Sequence, residues 1–177
     1  MALLLGGLVV GVLLAEGTAR IIAPNQAADL LFNASDASPM NLYVIDPQTR
    51  VTTAPNLRTS IQSLDYTVDI HTNALGLRGP EVDTLPTETP HWIAVGDSFT
   101  MSVQVQQADT FSGQLSTVSG AHIWNAGVDG YSTWQALLRV QQVQEYIPIK
   151  RVLLTFFTGN DFQDNERFLA MQRSPLP

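Results

Sequence analysis

The fold of this 177-residue chain is decided by one stretch, His91-Trp92-Ile93-Ala94-Val95-Gly96-Asp97-Ser98-Phe99-Thr100. Its first half is a short apolar run that predicts a buried strand, and Gly96 permits a sharp exit from that strand. Asp97 and Ser98 are residue types that begin helices, so a helix is expected to follow directly. In parallel α/β sheets, functional side chains gather at such turns, beside backbone N–H groups unpaired at the helix start. Ser98 is therefore the candidate nucleophile, and a simple helix cap is the alternative.

Two later stretches repeat this arrangement of an apolar run and a polar turn. The first is Ile123-Trp124-Asn125-Ala126-Gly127-Val128-Asp129-Gly130-Tyr131-Ser132, and the second is Val152-Leu153-Leu154-Thr155-Phe156-Phe157-Thr158-Gly159-Asn160-Asp161. Helical patterns separate the three strands, which predicts parallel strands joined by crossover helices. Because the carboxyl ends of parallel strands lie at one edge of a sheet, the three polar turns are expected to meet there.

These three blocks, read as Gly-Asp-Ser, Asn-x-x-x-x-Gly and Gly-x-Asn-Asp, resemble those of the SGNH (GDSL-type) hydrolase family. The stretch Asn73–Gly79, with the pattern Asn-x-x-Gly-x-Arg-Gly, is similar to one found in a membrane-anchored branch of that family. The resemblance therefore covers roughly residues 42–165. It implies an α/β fold of the flavodoxin-like type, a three-layer sandwich around a parallel sheet that is incomplete at its C-terminus.

The resemblance also implies a role for individual residues. Ser98 matches the family's nucleophile, and the backbone N–H of Gly130 and the side-chain amide of Asn160 match donors of its oxyanion hole. Such donors stabilise the charge that develops on a carbonyl oxygen, and losing one typically costs roughly 10²–10³ in rate. The supporting positions implied around them are Asp97, Asn125 and Asp161.

The family's general base, a histidine in an Asp-x-x-His segment after the third block, has no counterpart here. The chain contains His71, His91 and His122, and no histidine follows Asn160. His91 and His122 begin predicted strands, so they are expected at the sheet edge opposite Ser98. The sequence thus predicts a nucleophile and an oxyanion hole whose base comes from outside the given residues, as expected of a fragment.

The function implied is that of a serine esterase or deacetylase acting on a small-molecule or carbohydrate ester. Two alternatives remain open: an O-acetyltransferase of envelope polysaccharide, and a non-catalytic binding protein with the same fold. The net charge of −7 and the lack of a basic stripe argue against a nucleic-acid partner. Asp161 and Asp164 form a carboxylate pair without a third ligand, so neither a metal nor another cofactor is expected.

Residues 1–23 begin with an unbroken run of apolar residues and glycine, and Pro24 ends the segment. The run predicts a transmembrane anchor, with a cleaved signal peptide and a buried helix as alternatives. Together with the family resemblance, an anchor implies a site of action on the extracytoplasmic face of a bacterial inner membrane.

Residues 24–88 are predicted as an extended lead-in and linker, and residues 89–177 as the hydrolase domain. Apolar and polar residues alternate from Leu64 to His71, which predicts a half-buried strand. Arg78, in the lead-in, is expected to form a structural ion pair rather than to contact an anionic substrate.

Overall fold

The computed structural model describes residues 6–7, 10–12, 41–84, 86 and 88–173. The chain divides into two units, Met1–Ala37 and Ser38–Pro177. In the first unit, residues 6–7 and 10–12 are helical. Most of the anchor predicted over residues 1–23 lies outside the described residues. Among those that are described, no helix has both the length and the apolar character needed to cross a bilayer.

The described part of the lead-in forms two antiparallel hairpins. Their strands are β1 (Tyr43–Asp46) with β2 (Arg50–Thr53), and β3 (Arg58–Gln62) with β4 (Thr67–His71). The alternation predicted from Leu64 onward holds only within β4, where Val68 and Ile70 are buried. Leu64 is 94% exposed, because it lies in the turn that the Ser63 N–H closes on the Tyr66 carbonyl. The predicted strand therefore begins too early, and β3 was not predicted.

The second half of the chain contains a three-stranded parallel sheet, as the spacing of apolar runs predicted. Its strands are β5 (His91–Val95), β6 (His122–Asn125) and β7 (Ile149–Leu154), in the order β6-β5-β7. Ala94 of β5 lies opposite Asn125 on one side and Leu153 on the other. The fold is thus a mixed α/β arrangement in which β5, the strand before Ser98, is central.

Four helices accompany these strands. They are α1 (Ser98–Met101), α2 (Phe111–Ser119), α3 (Thr133–Gln144) and α4 (Asp161–Met171). Ser132, a residue type that favours helix starts, caps α3, and its side chain and that of Gln135 form a reciprocal capping box. The sequence pattern predicts Asp109 as the cap of α2, and this prediction is wrong. Thr110 is the cap and accepts the Gly113 N–H at 3.1 Å, whereas Asp109 belongs to the short 3-10 helix before it.

The core lies where α3 packs against the sheet. Ala136, Val140 and Val143 are spaced by four and three residues, so they share one helix face. The apolar pattern of this helix also predicts Leu137 on the inward face, but Leu137 is 48% exposed because it lies one residue away from that face. The remaining members of this cluster are Leu77, Ile93, Val95, Trp124, Ala126 and Ile147. This packing holds the polar ends of β5 and β6 in place.

Candidate active site

Ser98 lies in the turn that connects β5 to α1, and it is the first residue of α1. The helix cap is Asp97, whose Oδ1 accepts the Phe99 N–H at 3.0 Å. Ser98 is half-buried, and within the described part of the chain its hydroxyl makes no hydrogen bond. Asp97 therefore does the capping, and the Ser98 hydroxyl is left free for chemistry.

Gly96 allows the chain to leave β5 as sharply as the sequence predicted. Its φ is +155°, and a Cβ there would lie 2.4 Å from Thr100 Oγ1 and 2.8 Å from the Thr155 carbonyl oxygen. Neighbouring strands hold the turn on both sides. Val128 donates its N–H to the Gly96 carbonyl at 3.1 Å, and Thr155 donates to the Val95 carbonyl at 2.9 Å. The ends of β6 and β7 thus meet the turn that carries Ser98.

Asn125, predicted as a supporting residue, joins the turn after β6 to α1. Its side chain is buried, donates from Nδ2 to the Thr100 carbonyl at 2.8 Å and accepts the Gly127 N–H at 3.1 Å. Gly127 packs directly on α1, where a Cβ would lie 2.3 Å from the Met101 nitrogen. Both ends of the Asn125 amide are therefore occupied by the protein, and its role is to hold the two turns together.

Arg78 does not form the ion pair that the sequence predicted. Its guanidinium is buried, and it donates from Nη1 to the carbonyls of Met101 and Ser102, at 2.7 Å each, and from Nη2 to that of Val105 at 2.5 Å. Among the described residues it has no carboxylate partner, so the expected ion pair was wrong. Burial lowers the pKa of Arg78 to about 10, and the group remains charged at neutral pH. Backbone carbonyls at the end of α1 compensate this buried charge.

The Asn-x-x-Gly-x-Arg-Gly stretch is the local structure that presents Arg78. Asn73 Oδ1 accepts the N–H groups of Leu75 and Leu77 at 3.0 Å each. Gly76 has a φ of +68°, and a Cβ there would lie 2.4 Å from the Thr53 carbonyl oxygen. The motif therefore builds a tight loop, and its arginine reaches α1 from it.

The two predicted oxyanion donors follow β6 and β7. Gly130 is exposed and has a φ of +73°, a conformation that glycine adopts without strain. A Cβ at Gly130 would meet no atom within 4 Å, so its backbone angle, not crowding, requires glycine. Asn160 is the N-cap residue of α4, yet its side chain makes no capping hydrogen bond. Within the described part of the chain, neither the Gly130 N–H nor the Asn160 amide nitrogen is used by another residue.

Carboxylates surround this sheet edge. Asp161, predicted as a supporting residue, accepts the Phe157 N–H at 2.8 Å through Oδ2. Burial raises the pKa of Asp161, and the charges of Asp97 and Asp164 raise it further, whereas the hydrogen bond from the Phe157 N–H lowers it. Burial also raises the pKa of Asp129, opposed by the Tyr43 hydroxyl and reinforced by the charge of Asp97. Three carboxyl groups, those of Asp97, Asp129 and Asp161, thus lie close enough at this sheet edge to influence one another.

Several of these oxygens are buried and lack hydrogen-bond partners among the described residues. They are Asp97 Oδ2, Asp129 Oδ1, Asn160 Oδ1, Asp161 Oδ1 and Asp164 Oδ2. Buried acceptors of this kind are stabilised by a donor or a cationic group. Among the described residues, no group of three or more His, Cys, Asp or Glu side chains is placed so that it could hold a metal ion.

The histidines lie away from Ser98 in the sheet. His91 and His122 begin β5 and β6, lie opposite each other, and flank Trp124 at ring-centroid distances of 5.8 and 4.2 Å. A five-residue strand spans about 15 Å, so both rings lie at the opposite edge from the candidate nucleophile. His71 ends β4 and lines a separate cavity of about 520 Å³. No described histidine hydrogen-bonds to Ser98.

Comparison with known proteins gives limited information. No family model matches the chain, and none of the curated proteins does. A solved structure of AlinE4, an SGNH-hydrolase family esterase, aligns at 24% identity with a TM-score of 0.34 over 52% of this chain and 58% of that one. An aspartate-to-alanine mutant of AlinE4 aligns at 23% identity and the same TM-score, over 50% and 56%. The chain thus spans little more than half of these structures, a likeness that assigns it no activity.

Proposed function

We propose that this chain is a serine ester hydrolase of the SGNH type, with Ser98 as its nucleophile. The observation that supports the proposal is that Asp97, and not Ser98, caps α1. Asp97 supplies the helix cap, while the Ser98 hydroxyl stays unbonded at the sheet edge where β5, β6 and β7 all end. Gly130 and Asn160 follow the neighbouring strands with unused N–H donors. A nucleophile and unused N–H donors are two of the three components that an acyl-transfer site requires, and a base is the third.

In the proposed reaction, Ser98 Oγ attacks the carbonyl carbon of an ester and its proton passes to a base. The carbonyl oxygen becomes an oxyanion, which the N–H groups of Ser98, Gly130 and Asn160 stabilise. The intermediate collapses by breaking the bond to the alcohol oxygen, which leaves with a proton. Water then attacks the acyl-serine, and the acid is released as the Ser98 hydroxyl is restored.

The base is the component that no described histidine supplies. A base that accepts the serine proton becomes cationic, and the unpartnered oxygens of Asp97 and Asp161 would stabilise such a cation. Without that base, we expect this chain to react with activated esters slowly. In serine proteases, the loss of a triad member leaves roughly 10³–10⁴ over water. The lack of a histidine base among the described residues also favours a second candidate function, that of a non-catalytic binding protein with this fold.

The physiological ester and the place of action are further parts of the proposal. The substrate class is a small-molecule or carbohydrate ester, and transfer of the acyl group to a sugar hydroxyl would use the same site. The apolar run within residues 1–23 supports attachment to a membrane, and the resemblance to the membrane-anchored branch is the reason to propose the outer face of a bacterial inner membrane.

Fluorophosphonate labelling of the full chain, read by intact mass, tests the proposal. Labelling should be slow, because no described histidine activates Ser98, but after prolonged incubation the wild-type protein should gain one label and Ser98→Ala none. The control is Ser60→Ala, which removes the hydroxyl of an exposed serine in β3 and should leave labelling unchanged. A folded wild-type chain that gains no label would refute the esterase proposal and favour the binding protein. Equal labelling of Ser98→Ala would place the nucleophile elsewhere.

A further inference from the structure

The helix that carries Ser98 is too short to hold itself in place. Helix α1 contains four residues and ends at Met101, and its C-cap residue Ser102 has a φ of +54°, a left-handed value that is uncommon outside glycine. Its internal bonds include those from the Met101 and Ser102 N–H groups to the carbonyls of Asp97 and Ser98. A single helical turn is unfavourable alone, because its few hydrogen bonds do not offset the ordering of the backbone. Tertiary contacts must therefore fix this turn.

Arg78 supplies such contacts at the carboxyl end of α1. The last carbonyls of a helix lack intrahelical partners, and the Arg78 guanidinium binds those of Met101 and of the C-cap residue Ser102 at 2.7 Å each. It also binds the carbonyl of Val105, in the loop that follows, at 2.5 Å. The planar guanidinium holds several acceptors in one fixed arrangement, and a lysine ammonium has no such geometry. Since Arg78 is 1% exposed, water cannot replace these bonds.

Arg78 is itself fixed to the sheet. Its N–H donates to the Asn125 carbonyl at 2.9 Å, at the end of β6, and it also forms a bridge with Thr72. The turn after Asn125 carries Gly130, one of the proposed oxyanion donors. Arg78 therefore connects the helix of the nucleophile to the strand that leads to this donor, through its side chain on one side and its backbone on the other.

We propose that Arg78 is a positioning residue, which sets the place of Ser98 relative to the oxyanion donors by anchoring α1. The inference rests on the proposed function. It assigns Arg78 no contact with substrate, because its described guanidinium bonds go to backbone carbonyls. It predicts that a change at Arg78 slows the reaction of Ser98 by more than the loss of stability explains.

Arg139 offers a matched control. It is also a buried arginine whose pKa is lowered by burial, and its guanidinium donates to the Leu75 carbonyl and to Gln142 Oε1. It belongs to α3, and none of its hydrogen bonds reaches α1. A lysine at either position exchanges a buried guanidinium for an ammonium, but only the change at Arg78 removes contacts from α1.

The test compares fluorophosphonate labelling rates of Arg78→Lys and Arg139→Lys with that of the wild-type chain. Each rate is corrected for the folded fraction measured by urea unfolding. We expect Arg78→Lys to label at least about tenfold more slowly, because misplacement by about 1 Å costs up to about 10² in rate. Arg139→Lys should stay within about twofold of the wild type. Arg78→Met, which keeps no donor, should be slower than Arg78→Lys.

The outcomes separate this inference from the proposed function. A wild-type chain labelled at Ser98, with an equal rate in folded Arg78→Lys, would overturn the positioning role and leave the function standing. Equal slowing by both lysine variants would also overturn it, as an effect of general destabilisation. A wild-type chain that does not label would overturn the function and the inference together.

A measurement on the wild-type chain covers the case in which the Arg78 variants do not fold. The amide hydrogens of Met101 and Ser102 bond only within α1. With α1 anchored, they should exchange with solvent about as slowly as those of β5. Rapid exchange in an otherwise protected protein would mean that Arg78 does not hold the helix, and the inference would fail.

Discussion

Substitution of Gly127 by alanine should move the helix that carries Ser98. Gly127 follows Asn125 in the turn after β6 and has no left-handed φ, so alanine suits its backbone angles. The added Cβ, however, would lie 2.3 Å from the Met101 nitrogen and 2.6 Å from Thr100 Cβ. Both atoms belong to α1, so the new methyl group would press directly on that helix.

The size of the effect follows from these distances. Ordinary contacts of a Cβ begin near 3.4 Å, so α1 or the Gly127 turn must move by about 1 Å. Overpacking of this kind typically costs about 1–3 kcal/mol of folding stability. A displacement of about 1 Å at a catalytic group costs up to about 10² in rate. We therefore expect a modest loss of stability and a large loss of Ser98 reactivity.

The assay combines urea unfolding with the rate of fluorophosphonate labelling and of activated-ester hydrolysis. Gly120→Ala is the control, because Gly120 ends α2 with a φ of +70° and has open space around a Cβ. Alanine there should cost roughly 1–2 kcal/mol from backbone strain alone and leave the labelling rate unchanged. If folded Gly127→Ala labels as fast as Gly120→Ala, then α1 does not position the nucleophile, and our reading of this contact is wrong.

Three further substitutions test the surroundings of the site. Asn125→Asp should lower the free energy of unfolding by about 3 kcal/mol at pH 7, because a carboxylate cannot donate to the Thr100 carbonyl. Urea unfolding at pH 4 should show a smaller loss, because the protonated acid can donate again. Equal losses of stability at both pH values would contradict this reasoning. Burial and a neighbouring histidine lower the pKa of His122 to about 4, so the contribution of His122 to wild-type stability should drop by on the order of 1–3 kcal/mol as pH falls from 6.5 to 4. Thermal unfolding of His122→Phe should show a flatter pH profile, and an unchanged slope would exclude His122 as the cause. Burial raises the pKa of Asp129, with the Asp97 charge adding to it, so the contribution of this carboxyl group to stability should fall as pH rises above about 4. Asp129→Asn should therefore unfold at a higher temperature at pH 7, and a lower one would show that the carboxylate is stabilised by contacts.

The sequence by itself was sufficient for the central sheet. Apolar runs followed by small and polar residues predicted β5, β6 and β7 and their parallel direction. Burial explains the apolar signal of β5 and β6, whereas β7 carries an apolar run although most of its residues are exposed. The sharp turn at Gly96 was also predictable from the sequence, because such a turn after a strand favours a residue without a side chain. In contrast, β3 and the start of β4 were misjudged, because the turn around Leu64 carries an apolar residue that local patterning assigns to a strand.

The division of roles at the nucleophile needed backbone geometry. Asp97 and Ser98 are both helix-capping residue types, and composition cannot decide which of two neighbours takes the cap. The φ and ψ angles after Gly96 determine it, and they place Asp97 Oδ1 on the Phe99 N–H. The free Ser98 hydroxyl, on which the proposed function depends, follows from that choice.

Only the tertiary structure decided what Arg78 and Asn125 do. The sequence suggested an ion pair for Arg78, but its partners are carbonyls 23–27 residues away, and every residue carries a carbonyl. Asn125 was marked by its motif, yet its partner is likewise a carbonyl, that of Thr100. A side-chain pattern cannot identify partners that are backbone groups, because backbone groups are the same at every position. Folding selects among them by bringing α1 against the end of β6 and the loop before β5.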